Sequence, residues 1–138
     1  MKMHTTNYFN TFIAVAEDCP VEAGEVPVQK GDKPSIAYLQ YKMISENPYK
    51  FTSDDVLFEV FAIRNDLTES EKPAARRAYF SKGQACMRSS PLGKRYGWGV
   101  HADKAGKVAL YAAGSEKYNA FVIDPKLDHT KAMRSKKL

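Results

Sequence analysis

The sequence contains few of the residues that build disulfide frameworks or metal sites. Its 138 residues include two cysteines and three histidines. Cys19 and Cys86 lie far apart and match no paired spacing, so neither a secreted disulfide scaffold nor a zinc site is indicated. His4, His101 and His129 have no ligand-type partner three or four residues away. We therefore expect no metal, and reduced thiols in a cytoplasmic protein.

Long apolar runs are also missing. No stretch approaches the roughly 18 apolar residues that a membrane-spanning helix needs. The first ten residues lack the apolar segment of a signal peptide. We therefore expect no membrane insertion and no export. The composition, with 43% apolar and 27% charged residues, is that of one ordinary folded domain.

An excess of positive charge is present, but it is concentrated at one end of the chain. The formal net charge is +5, and residues 126–138 contain five lysines or arginines against one aspartate. We therefore predict a nearly neutral globular domain over 1–125 and a basic C-terminal tail over 126–138. A frayed, solubilising tail is the favoured interpretation, and weak nucleic-acid binding through it is the alternative.

Strands are indicated at both ends of the domain. The apolar, β-forming run over 11–16 predicts a buried central strand. Two alternating arms around Asp103–Gly106 predict a β-hairpin over 96–112. Residues 20–33 have no period, which indicates a long surface loop.

Capping patterns and apolar spacing indicate the helices. One is predicted over 34–46 with Asp32 as its cap, although a two-faced strand is the alternative. The acids and hydroxyls of 52–55 introduce a second helix, and those of 68–71 introduce a third that ends at Gly83. Ser115 caps a short last helix. The fold class predicted is α+β, a small mainly antiparallel sheet with three or four helices packed largely on one face.

A segment rich in cations, hydroxyls and aromatic rings is the best candidate for a binding site. The guanidinium groups of Arg88 and Arg95 suit carboxylate or phosphate, and Tyr96 or Trp98 offers a stacking surface. His101 follows closely. We predict these five residues as ligand-binding, although a basic solvated loop beside a core tryptophan explains the same pattern. No catalytic residue and no cofactor is indicated.

Four short stretches carry a resemblance to a known family. His4–Tyr8, Glu46–Lys50, Ser53–Phe58 and Lys94–Gly99 resemble a family of short uncharacterised bacterial proteins, a domain of unknown function. The resemblance implies a stand-alone bacterial, cytoplasmic protein. It carries over no catalytic or binding residue.

Three functional hypotheses follow from the sequence. The first is a cytoplasmic protein that binds a small molecule or anion, with enzymatic activity left open. The second is a nucleic-acid-binding protein that uses the basic tail and the Lys94–Arg95 patch. The third is a non-catalytic interaction module or homodimer whose surface contains an exposed aromatic patch of Tyr38, Tyr41, Tyr49 and Phe51.

Overall fold

A four-stranded sheet organises the computed structural model, which describes residues 3–136. The strands are β1 (Thr11–Ala14), β2 (Trp98–Ala102), β3 (Val108–Ala112) and β4 (Asp128–Lys131), in the order β3-β2-β1-β4. Strand β2 pairs antiparallel with both β1 and β3, whereas β4 pairs parallel with β1. The predicted interior position of the first strand and the predicted hairpin are both confirmed.

Within residues 3–136, five helices accompany the sheet. They are α1 (Ile36–Glu46), α2 (Ser53–Arg64), α3 (Lys72–Phe80), the single turn α4 (Pro91–Lys94) and α5 (Glu116–Val122). A 3-10 turn over Met87–Ser89 precedes α4. The predicted α+β class with a mostly antiparallel sheet is therefore confirmed.

The two faces of the sheet bury different sets of side chains. Alternate residues of the strands point to opposite faces. On one face Ile13, Val100 and Val108 pack with α1, α2 and α4 in the main core. On the other face Phe12 packs against Tyr118 of α5. Helix α3 lies outside these layers, since Phe80 joins a small cluster with residues of α2.

Local hydrogen bonds explain where α2 begins. The Thr52 hydroxyl accepts from the Asp55 backbone N–H at 3.2 Å, and the Asp55 carboxylate accepts from the Thr52 N–H at 3.1 Å. This reciprocal pair satisfies two N–H groups that no helical carbonyl reaches. The capping pattern read from the sequence is confirmed here.

Two predicted helix ends are wrong. Helix α1 is capped by Ser35, whose hydroxyl accepts from the Tyr38 N–H at 3.1 Å. Asp32 lies three residues too early to do this, because a cap reaches only the second or third residue of its helix. Helix α3 ends at Phe80 and its C-cap, Ser81, has right-handed geometry, so Gly83 is not its left-handed C-terminal residue.

The C-terminal segment also differs from its prediction. Residues 128–131, predicted as part of a frayed tail, form β4 on the edge of the sheet. Beyond it the Ala132 N–H donates to Ala14, and the backbone N–H groups of Ser135 and Lys136 donate to Asp18. Mostly exposed polar residues make up β4, so the sequence gives no apolar alternation to detect. The domain boundary at 125 stays a prediction.

Candidate functional site

A chain of two hydrogen bonds joins His101 to two tyrosines on the α5 face of the sheet. The Tyr49 hydroxyl lies 2.8 Å from His101 Nδ1 and 2.7 Å from the Tyr111 hydroxyl. His101 and Tyr111 come from the neighbouring strands β2 and β3, whose register directs both side chains to this face. Tyr49 comes from the turn between α1 and α2.

The backbone of that turn is fixed against the edge of β3. The Tyr49 N–H donates to Val108 O at 2.9 Å, and the Val108 N–H donates to Phe51 O at 2.9 Å. Tyr49 adopts a φ of 59°, a left-handed conformation that costs a bulky residue energy. The strand-edge bonds and the bond to His101 hold Tyr49 in this conformation.

Burial disfavours the charged form of the His101 ring. The ring stacks on Phe121, with centroids 4.3 Å apart and planes inclined by 23°. Burial lowers the pKa of His101 below its ordinary value, and the charges of Asp103 and Asp124 oppose that effect only in part. Burial, together with the bond to Tyr111, raises the pKa of Tyr49, so this phenol keeps its proton.

The proton positions along the chain decide what His101 offers to a neighbour. In one arrangement Tyr111 donates to Tyr49 and Tyr49 donates to Nδ1, so that Nε2 carries the ring proton and donates. In the other, Nδ1 donates to Tyr49 and Tyr49 donates to Tyr111, so that Nε2 accepts. The two arrangements therefore differ in the ring tautomer as well as in the direction of both hydroxyls, and a change from the first to the second requires Nε2 to give up its proton and Nδ1 to gain one.

His101 lines an open groove of about 600 Å³. Its walls come from the segment before β1, the β2–β3 turn and the C-terminal end of α5. Asn10 at its edge is a second residue with left-handed backbone, at a φ of 50°. The other side chains supply two carboxylates, two ammonium groups and apolar surface: Asp103, Asp124, Lys104, Lys126, Ala105, Phe121 and Leu127.

The β2–β3 turn and the loop after α5 are held by their own carboxylates. Asp103 Oδ1 accepts from the N–H groups of Ala105 and Lys107, each at 2.9 Å. Asp124 Oδ1 accepts from the Lys126 N–H at 2.9 Å. These bonds give the groove defined walls on either side of His101.

The structure separates the five sequence-predicted site residues. Arg95 and Tyr96 line one groove together. Arg88 lies beside β4, where its Nε donates to Lys131 O at 2.7 Å. Trp98 points to the face opposite that of His101, since the two are three positions apart on β2.

The indole of Trp98 is held in place by the long loop before α1. Its Nε1–H donates to Glu25 O at 2.7 Å, and its ring packs against Tyr41 at a centroid distance of 5.2 Å. Gly24 lies so close that a Cβ there would come within 2.9 Å of the indole. These contacts give the tryptophan a packing role between the loop and the main core.

Sequence reasoning missed the two tyrosines that complete the chain. The register of the hairpin places Tyr111 on the same face as His101. The alternation of the two arms could therefore have indicated that Tyr111 lies near His101. Tyr49 follows an Asn-Pro turn and gives no such signal. The exposed aromatic patch predicted around it is wrong: Tyr49 is hydrogen-bonded, Tyr41 packs on Trp98, and Phe51 packs against the main core.

Other chemistry-bearing groups are few in residues 3–136. Cys19 and Cys86 are unpaired, and Cys86 Sγ lies 3.3 Å from the Tyr8 hydroxyl. Within this described range no three His, Cys, Asp or Glu side chains gather as metal ligands. None of the helices there has the length and apolarity to cross a bilayer.

Comparison with known proteins identifies the family without assigning an activity. No curated protein and no solved structure matches the chain. One family model does match, over residues 3–138, which is nearly the whole sequence. Its description is a family of unknown function, in agreement with the resemblance carried by the four short stretches. The chain therefore belongs to the family of unknown function DUF6157.

Proposed function

We propose that the protein binds a small polar molecule in the His101 groove and that His101 Nε2 exchanges a hydrogen bond or a proton with it. The observation that carries this proposal is the Tyr111–Tyr49–His101 chain, which ends on an imidazole at the wall of an open groove. A neutral histidine whose Nδ1 donates a fixed hydrogen bond presents Nε2 as an acceptor, which is the form in which histidine acts as a general base.

The surroundings of the ring support the same reading. Tyr49, which bonds to His101, has a left-handed backbone that is costly for a bulky residue, and conformational strain of this kind is concentrated at binding and catalytic sites. Phe121 offers an apolar wall, while Lys104 and Lys126 offer ammonium groups at the rim. The groove therefore suits a ligand that has a hydrogen-bonding group near its centre, where it can meet His101, and polar groups at its edge, where they can meet the two ammonium groups.

A bacterial, cytoplasmic location belongs to the proposal as well. Two unpaired cysteines in the described chain suit a reducing compartment. The family resemblance adds the bacterial source. Fractionation of cells that produce the natural protein at its own level, followed by immunoblotting, tests the compartment directly.

The nucleic-acid hypothesis receives less support. Lys131 and Arg134 of the basic segment each lie 3.4 Å from a Glu17 carboxylate oxygen, which compensates part of the charge that would attract phosphates. Nucleic-acid binding through residues 126–138 stays a prediction, as does homodimerisation.

The test is a screen of small polar fragments by two-dimensional ¹H–¹⁵N NMR. We expect binding fragments to shift the amide signals of Asn10, Asp103, Lys104 and Phe121. In His101→Asn the amide side chain still reaches Tyr49 but has no group at the position of Nε2. This variant should bind such fragments about ten-fold more weakly, the cost of one well-made hydrogen bond.

A matched variant distinguishes the groove from a general effect of losing a histidine. His4→Asn removes an exposed histidine outside the groove and should leave fragment affinity unchanged. If no fragment binds, or if fragments bind wild type and His101→Asn equally well, the proposal is wrong. Tyr49→Phe, which removes a single oxygen atom, provides a second variant with a smaller expected loss.

A further inference from the structure

A second groove contains two arginines and lies on the helical side of the molecule. It has a volume of about 460 Å³ and lies between the start of α1, the end of α2 and α4. Arg64, Arg95, Tyr96, Ser35 and Ser89 contribute polar groups to its lining, and no carboxylate does. Its character is therefore cationic, in contrast to the mixed charge around His101.

The two positive charges are not compensated by acidic side chains. Within residues 3–136 neither Arg64 nor Arg95 takes part in a salt bridge. Arg64 Nη1 donates to Pro34 O at 2.9 Å, which anchors one side of that guanidinium and leaves further N–H groups. Arg95 is exposed. Guanidinium groups of this kind bind oxyanions through paired N–H donors.

Hydroxyl groups add neutral donors to the same groove. Ser35 Oγ accepts the Tyr38 N–H at 3.1 Å, so its own proton can be donated elsewhere. The Ser89 hydroxyl points at the Met133 sulfur at 3.1 Å, a weak acceptor that an anion would replace at little cost. Tyr96 contributes its aromatic ring.

We propose that this groove binds the phosphate group of a small molecule, held by Arg64 and Arg95. The number of donors favours phosphate over carboxylate, because two guanidinium forks and two hydroxyls exceed what two carboxylate oxygens can accept, whereas a phosphate monoester presents three oxygens. The site is separate from the His101 groove. It unites Arg95 and Tyr96, two of the residues that the sequence pattern singled out.

Titration with inorganic phosphate and with acetate at low ionic strength tests the proposal. Phosphate should shift the NMR amide signals of Ile36, Ala37 and Tyr96, and acetate at equal concentration should shift them less. Loss of charged hydrogen bonds in Arg95→Gln should weaken phosphate binding about ten-fold or more. Arg95→Lys keeps the positive charge but loses the paired N–H donors of the guanidinium group. Its affinity for phosphate should therefore lie between that of Arg95→Gln and that of wild type.

Arg77→Gln is the matched control. Arg77 is an exposed arginine of α3 outside the groove, and its substitution removes the same charge as Arg95→Gln does. It should bind phosphate as wild type does. Equal weakening in Arg77→Gln and Arg95→Gln would reduce the effect to net charge and overturn the proposal, as would equal binding of acetate. An RNA oligonucleotide that displaces phosphate and binds far more tightly through Arg95 would also overturn the small-molecule assignment.

Discussion

At the scale of single residues, the chemistry of His101 depends on three neighbours from separate parts of the chain. Tyr49 binds Nδ1, Phe121 covers the ring and Asp103 lies close to it. The sequence identifies His101 as a candidate because it stands near arginines and aromatic residues. The partners of its ring follow from the fold, so Tyr49 could not be read from spacing alone.

The lowered pKa of His101 predicts a specific dependence of stability on pH. An unfolded histidine titrates near 6.5, and the folded ring titrates below that value because burial opposes its charge. Between the two pKa values the unfolded chain binds more protons, so stability rises with pH in that window. As pH falls through it, wild type should lose stability that His101→Asn does not lose.

Urea unfolding of both proteins at a series of pH values from about 8 to 5 measures this difference. The free energy of unfolding of wild type minus that of His101→Asn should decrease as the pH falls. A difference that is constant, or that grows in favour of wild type at low pH, would show that the ring is not disfavoured in its charged form.

At the scale of elements, the contact between the sheet and α5 depends on the absence of a side chain at Gly99. A Cβ at that position would lie 2.6 Å from Phe12 and 2.7 Å from Tyr118, both within the packed layer beneath α5. The Tyr118 ring is restrained because its hydroxyl also accepts from the Val15 N–H at 3.0 Å. The Phe12 ring is fully buried and stacks on Phe121. The glycine permits the helix to approach the strand.

Gly99→Ala should therefore destabilise the fold by about 1–3 kcal/mol, the cost of overpacking a filled interior. Thermal or urea unfolding measures the change. Gly83→Ala is the matched control, because its Cβ would meet only His4 Nδ1, at 3.8 Å, and its φ is not left-handed. A Gly99→Ala protein as stable as Gly83→Ala would contradict the tight packing of α5 on β2.

Elements differ in how far sequence determines them. Helix α2 and the hairpin could be predicted because their signals are local: a reciprocal cap in one and a glycine turn between alternating arms in the other. Strand β4 could not, because its residues are mostly exposed and the strand with which it pairs, β1, lies more than a hundred residues earlier. Non-local backbone pairing leaves little mark on composition.

At the scale of the whole molecule, the two faces of the sheet contain different grooves. The face covered by α1, α2 and α4 contains the larger apolar core, and the arginine groove lies at the outer edge of those helices. The opposite face contains the His101 chain and its groove. The sequence grouped Arg95, Trp98 and His101 because they are close along the chain. The alternation of β2 directs Trp98 and His101 to opposite faces, and Arg95 lies before that strand, at the end of α4.

A third groove provides the strongest competing site. It has a volume of about 640 Å³, and its lining combines apolar residues such as Leu39, Met43 and Phe51 with the Arg76–Asp55 ion pair. It contains no histidine. The groove is large enough for an apolar ligand. It offers such a ligand no uncharged side chain that could act as an acid or a base.

The crystal structure of the protein with its tightest-binding polar fragment tests the central claim most directly. We expect the fragment in the His101 groove, with a polar atom within hydrogen-bond distance of His101 Nε2 and one side against Phe121. A fragment seated instead between α1 and α2, against Leu39 and Phe51, with the His101 groove containing only solvent, would contradict the account.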